Sequence, residues 1–529
     1  MNLQASLFST ALAVLAVVAS AAAMAQTPKR GGTLTFAVSA EPPNYDCHAN
    51  TSFAFIHPVR PHYSTLLKFD APKYPKITGD LATSWKVAKD GLTYTFKLRK
   101  NVKFHDGSVL TSADIKATYD RIRTPPAGVR SVRQATYGDV ATIETPDAQT
   151  VVFKLKKTNA SMLSNFASPW DCVYSAAKLK QDPKFPERNI VGTGPFTFVE
   201  HVAGSHWVGK RFAGYYEKGK PYLDGYRAIF IKGAPMVNAL AAGEVMAEFR
   251  GQSPADRDRL VKTLGDKAVV VESPWVCSLV VGFNTLKKPF DDARVRRALS
   301  LGIDRWGGAE ALSKIALVRH VGGLLRPGYE LAASGQDLVK MPGFSFDIAA
   351  SRAEAKRLLK EAGQENLTFK LTNRNIAMPY TPVGVFLIDQ WRQIGLNVEH
   401  QQLETRLYLA AQQKEGGAYD AALDFNCDFM DEPNLQLQKY LSSDKSSINY
   451  AHQIDRKLDE LYEQQSGELN KKKRYALLRE FERRALEQAY TIPTIWWHRI
   501  IVHNKQMQGW NITPSHYVDQ DLANVWLNR

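Results

Sequence analysis

No two of the four cysteines, Cys47, Cys172, Cys277 and Cys427, lie close together, and there is no CxxC pair. That spacing excludes a zinc ribbon and a thioredoxin-type redox centre, because both need thiols near in sequence. Catalytic signatures are just as scarce. The chain has no GxSxG elbow, no HExxH, no Walker loop and no EF-hand loop. The commonest routes to an activated serine, a catalytic zinc, a nucleotide site or a calcium site are therefore missing. The twelve histidines are scattered, without an i, i+4 pair on a plausible helix, so no metal site is expected. His498, beside Trp496 and Trp497, is the one histidine worth locating. Beyond residue 25 no apolar run is long enough to cross a bilayer. The net charge of +15 is spread over the whole length, without a localised basic stripe or a reader motif, so no nucleic-acid partner is expected.

What is present begins at the amino terminus. Residues 1–25 carry no charge, Leu12 to Ala23 is an apolar run, and Ala23-Met24-Ala25 fits the small-x-small rule for cleavage before Gln26. We read a signal peptide over 1–25, although its first residues lack the usual Lys or Arg. No cysteine follows the cleavage point, so a soluble periplasmic protein is expected rather than a lipid-anchored one. A mature chain of about 500 residues exceeds the size at which a single core keeps growing, so two or three domains are expected. Apolar residues at 44% and charged residues at 23% leave no case for disorder. The densest basic run, Lys471 to Arg474, opens a helix with Tyr475, Leu478, Phe481 and Ala485 on its apolar face, and reads as solvated surface.

The segment Leu81 to Ile122 is the most tightly patterned in the chain. Tyr94, Phe96 and Leu98 alternate with polar neighbours, as in a half-buried strand. Asp90-Gly91 and Asp106-Gly107 mark turns, and Thr111 to Asp114 opens a helix as a capping box, with Ile115, Tyr119 and Ile122 on one face. This pattern resembles the signature of the extracytoplasmic solute-binding proteins of peptide-type ABC importers, family 5. Further similarities follow at Gly31-Gly-Thr-Leu34, Val191 to Pro195, Gly219 to Tyr226, Phe283-Asn-Thr285 and Lys288 to Ser300, so the resemblance covers nearly the whole mature chain.

The resemblance implies an α/β fold of two lobes, the class II periplasmic-binding-protein fold in its large form, with discontinuous lobes and an inserted domain. The expected division is lobe 1 over 26–71, 190–282 and 493–529, an inserted small domain over 72–189, and lobe 2 over 283–492. Helix caps at Asp292 and Asp347 fit lobe 2. The implied function is a periplasmic receptor, not an enzyme, that binds a peptide or peptide-like solute between the lobes and delivers it to an inner-membrane ABC permease. A monomer without cofactor is expected. The alternatives are a receptor for a sugar, an amino-acid conjugate or a metal complex, and a secreted hydrolase.

Site residues are implied in the same way. Asn426-Cys-Asp-Phe-Met-Asp-Glu-Pro433 stands where relatives carry a Trp and then an Asp for the ligand's ammonium group, which points to Asn426 and Asp428. Glu41 to His48 is where peptide binders pair backbone with ligand, which brings in Asn44 and Tyr45. Pro42 and Pro43 weaken that pairing because they lack N–H groups. Dipeptide readers hold the ligand carboxylate with an Arg before a Pro-Tyr-x-Pro turn; here Met378 occupies that place and Arg374 is the nearest substitute. Trp170 and Trp497 are proposed cleft aromatics. The contexts of Cys277 and Cys427 resemble two positions joined by a disulfide in the oligopeptide-binding branch, which leaves Cys47 and Cys172 as a second pair. Because two features of peptide readers are missing, plain dipeptides are expected to bind poorly.

Overall fold

The computed structural model describes residues 27–413 and 417–529; the expected signal peptide lies outside them. Three sheets organise the chain. In the first, the order is Ala247–Glu248, Thr33–Val38, Gly225–Phe230, His206–Arg211 and Phe196–Val202, with Thr33–Val38 parallel to both its neighbours. Leu34, Phe36 and Val38 of the strand Thr33–Val38 turn into a core shared with Phe55, Trp207 and Tyr226.

The second sheet is antiparallel, in the order Ala82–Val87, Thr93–Leu98, Thr150–Leu155 and Val140–Asp147. Its inner face is covered by the helix Ser112–Arg123, which starts at the expected capping box: the Thr111 N–H donates to the Asp114 carboxylate at 2.8 Å. Ile115, Tyr119 and Ile122 are fully buried. The Tyr119 ring meets Phe153 edge to face at 5.1 Å and Phe166 at 5.5 Å, an arrangement aromatic pairs favour.

The third sheet runs Val318–His320, Thr491–Asn504, Ala268–Phe283, Ala421–Cys427, Thr368–Arg374 and Asn397–Leu403. The helices Ala293–Leu301 and Ile348–Glu361 are capped by Asp292 and Asp347, which accept from the N–H groups of Arg294 and Ala350. Leu359, Leu387 and Trp391 are fully buried in the core of this unit. Together the three sheets form the two-lobed architecture with an added four-stranded unit.

Two strands cross between the lobes. Ala268–Phe283 and Thr491–Asn504 are antiparallel partners from Ala268↔Asn504 to Gly282↔Thr491, with register shifts between Pro274 and Val280. One end belongs to the six-stranded sheet. The other reaches the first sheet, where the Asn504 N–H donates to Met246 O at 2.8 Å and the Gln252 N–H to Ile500 O at 2.8 Å. Proline at 274 cannot donate to a ladder, so the irregularity falls where the sequence already forbids regular pairing.

Candidate binding cavity

The bulge in the crossing strand builds the site. Freed from regular pairing, the Val276 N–H donates to Pro514 O at 3.0 Å, while Val276 O accepts from the Asp428 N–H at 3.1 Å. One residue thus fixes the loop after Cys427 against the carboxy-terminal segment. Beside it Cys277 is joined to Cys427, with Cα atoms 4.0 Å apart, directly opposite in the ladder. Cys47 is joined to Cys172, with Cα atoms 6.0 Å apart. The Cys47–Cys172 separation is usual for a disulfide, and that of Cys277–Cys427, a directly opposed cross-strand pair, is shorter than usual.

These segments wall a cavity of about 660 Å³. Thr51, Trp170 and Tyr517 come from one lobe, Arg133, Asp139 and Lys157 from the added unit, and Asp428, Phe429, Asn434 and Tyr462 from the other lobe. The Trp170 and Tyr517 rings lie 5.3 Å apart, and the Tyr517 hydroxyl donates to Thr51 O at 3.4 Å. Aromatic walls with a few convergent polar groups are what small-solute sites require.

Asp428 is the chemically exposed group of this cavity. Among the described residues its carboxylate makes no hydrogen bond and no ion pair with the protein. Burial pushes its pKa up to about 7, with the neighbouring Asp431 adding to the rise and Lys439 opposing it. Lys439 is otherwise engaged, donating to Asp424 at 2.6 Å. A half-buried carboxylate on a cavity wall without a cation of its own is an acceptor for a ligand cation.

A second cavity, of about 610 Å³, lies between the added unit and the first lobe and includes Arg60, Lys68, Tyr216 and Asp521. Its central cation, Lys68, is surrounded by Asp80, Glu217 and Asp521 at 3.2–3.6 Å. Because those charges answer one another, the first cavity is the better candidate.

Of the residues named from the sequence, Asp428, Trp170 and the disulfide-bonded Cys427 line the 660 Å³ cavity, and the others serve elsewhere. The Asn426 side chain donates to Gln436 O at 2.9 Å within its own lobe. Asn44 accepts from the Asp46 N–H at 3.0 Å and from the Asn50 side chain at 2.6 Å, locking the loop it begins. Tyr45 packs edge to face on Trp207 at 5.0 Å, and its hydroxyl bonds His201 at 3.0 Å. Arg374 is enclosed by Tyr380, Tyr408 and Phe425 and faces Asp424 at 3.5 Å, so its charge is answered inside the lobe. Trp497 meets Trp275 edge to face at 5.3 Å in the core. His498 bonds Glu272 at 2.9 Å and His320 at 3.0 Å. Among the described residues no cluster of three or more His, Cys, Asp or Glu side chains is placed to hold a metal ion. Arg133 and Tyr517 are among the cavity residues that sequence reasoning missed. Each is carried in from a segment without any local motif, and only the tertiary fold brings them to Asp428.

Residues 76–447 match the model of the bacterial extracellular solute-binding proteins, family 5 middle region. With about 70% of its length inside that match, the chain belongs to this family. The glutathione-binding protein GsiB of Pectobacterium atrosepticum is 31% identical over 350 residues, covering 64% of this chain and 62% of that protein. The match therefore spans less than two thirds of that relative's length. Among solved structures, the periplasmic binding protein AgaA from A. tumefaciens R10, in complex with agropinic acid, superposes with a TM-score of 0.77 at 24% identity, over 94% of this chain and 99% of that one. The oligopeptide-binding protein AppA of Bacillus subtilis, in complex with a nonapeptide, gives a TM-score of 0.77 at 21% identity, over 95% and 100%. These likenesses establish the two-lobed fold.

Proposed function

We propose that the chain is the periplasmic receptor of an ABC importer and that it holds a peptide-like, amine-bearing solute in the 660 Å³ cavity for delivery to an inner-membrane permease. The observation that carries this is Asp428, a carboxylate without a protein partner facing a cavity walled by both lobes. An ammonium group placed there would form a charge-assisted hydrogen bond in a poorly solvated space. The reading includes export by the signal peptide, binding without turnover, and the division of lobes expected from the sequence, except that the segment of Trp170 and Cys172 packs in the core of lobe 1.

Within this class a conjugated or modified peptide fits better than a plain dipeptide. The loop Glu41–His48 uses its own donors internally: the Tyr45 N–H goes to Glu187 O at 3.1 Å and the Asp46 N–H to Asn44. Little backbone is left there to pair with a ligand strand. The named ligands of GsiB and AgaA, glutathione and agropinic acid, support the same direction. A thermal-shift screen separates the two, since a ligand at a hundred times its Kd adds about 2.7 kcal/mol of stability. Glutathione-sized conjugates are expected to stabilise and plain dipeptides to do so weakly; strong stabilisation by several dipeptides would reverse that order. Native mass spectrometry of protein gently extracted from the periplasm tests the receptor reading itself. One amine-bearing small molecule per chain is expected, and turnover of ester or peptide substrates would argue for an enzyme instead.

A further inference from the structure

The cavity that holds Asp428 contains a cation prepared for the opposite end of a ligand. Arg133 is only 5% exposed, yet it lines this cavity. One terminal nitrogen, Nη2, donates to Cys47 O and to Asn50 O, both at 2.7 Å. The Cys47–Cys172 disulfide ties down the loop that supplies the first of those carbonyls. The guanidinium lies over the Trp170 ring at 5.0 Å, and Trp170 also lines the cavity. Two carbonyls and one ring therefore set the fork in place before any ligand arrives.

What Arg133 lacks is a full counterion. Its nearest carboxylate, Asp171, stands 3.7 Å from Nε, beyond hydrogen-bond length, and that nitrogen has no hydrogen-bond partner. Nη1 makes no hydrogen bond with any described residue. Asp171 is instead bonded by the Tyr137 hydroxyl, so its carboxylate serves another donor. The other cation of the cavity, Lys157, is already paired with Glu463 at 2.9 Å. A planar donor fork with spare N–H groups in an aromatic-walled cavity suits a carboxylate.

Resting on the receptor reading above, we propose that Arg133 is the carboxylate anchor of this receptor. Together with Asp428, which another segment brings to the same cavity, it makes the site select zwitterionic solutes that carry a free carboxylate as well as an amine. The ligand spans the cavity with its ammonium group on Asp428 and its carboxylate on Arg133, and Trp170 and Tyr517 pack along its length.

The experiment is a calorimetric comparison of glutathione and a set of free-acid tripeptides with the same tripeptides as C-terminal amides, on the intact mature chain. Wild type is expected to bind the acids at one site and to bind each amide about 10–100-fold more weakly, the range for losing one charge-assisted bond. Arg133→Gln is expected to bind acid and amide alike, with Arg133→Lys in between. Because Arg133 also ties down two backbone carbonyls, its variants are first checked for an unchanged circular-dichroism spectrum; if they fail to fold, the acid–amide ratio on wild type decides. Equal affinity of wild type for acids and amides, or preserved discrimination in a folded Arg133→Gln protein, overturns the carboxylate anchor and leaves the receptor reading standing. Absence of binding by every acid and amide overturns both.

Discussion

At the scale of single residues, Asp428 is held in a state that burdens the fold. Its carboxyl binds a proton more tightly in the folded chain, near pH 7, than in the unfolded chain, near pH 4. The penalty is absent below about pH 4, grows between about pH 4 and 7, where the unfolded carboxyl ionises and the folded one keeps its proton, and is complete above about pH 7. Asp428→Asn is therefore expected to stabilise the empty protein at pH 8 by about 1–2 kcal/mol, with the gain vanishing towards pH 4. Denaturant melts of both proteins at the two pH values check this. A destabilised variant at pH 8 would mean that the carboxylate has a structural partner after all. Legibility at this scale is uneven. The caps at Thr111, Asp292 and Asp347 could be read from the sequence because a cap is satisfied within three residues. Arg374 misled for the converse reason: nothing local shows that Asp424, fifty positions away, answers its charge.

At the scale of elements, the bulged strand and its disulfide control where Asp428 stands. The Cys277–Cys427 bond joins residues 150 apart in sequence, for which chain entropy gives roughly 5 kcal/mol, and strain or residual unfolded structure commonly reduces the yield to about 2–4 kcal/mol. Replacing both cysteines with serine is expected to lower stability by that smaller amount and to loosen the loop that carries Asp428. Hydrogen exchange at Asp428 and Phe429 should quicken accordingly; unchanged protection would show that the hydrogen bonds through Val276 suffice alone. The individual strands and helices were largely visible as periodicities, as in Tyr94, Phe96 and Leu98 or in Ile115, Tyr119 and Ile122. The bulge was not, because a register shift is a property of two strands pairing and leaves only Pro274 as a local trace.

At the scale of the whole molecule, the added unit closes against the second lobe through a small set of polar contacts. Ser161 donates to Glu432 at 2.6 Å, the Thr158 hydroxyl donates to Gly467 O at 2.9 Å, and the Ala160 N–H donates to Ser466 O at 2.8 Å. A hinge opening about the two crossing strands would break these contacts, so they favour the closed form. Ser161→Ala is expected to enlarge the ligand-free radius of gyration in solution scattering and to weaken binding about 2–10-fold, since one net hydrogen bond is removed from the closed state. Unchanged scattering and affinity would place closure elsewhere. Two-lobed organisation was legible because the resemblance ran nearly the full length, whereas the cavity was not, since its walls come from segments hundreds of residues apart. Calorimetric titration of glutathione and the tripeptide set into wild type and Asp428→Asn at pH 7 bears most directly on the central claim. One site per wild-type chain is expected, with affinity weaker by about 1.5–3 kcal/mol in the variant, the scale of a hydrogen bond to a charged group. Equal affinity in the two proteins would contradict the claim that this carboxylate receives the ligand.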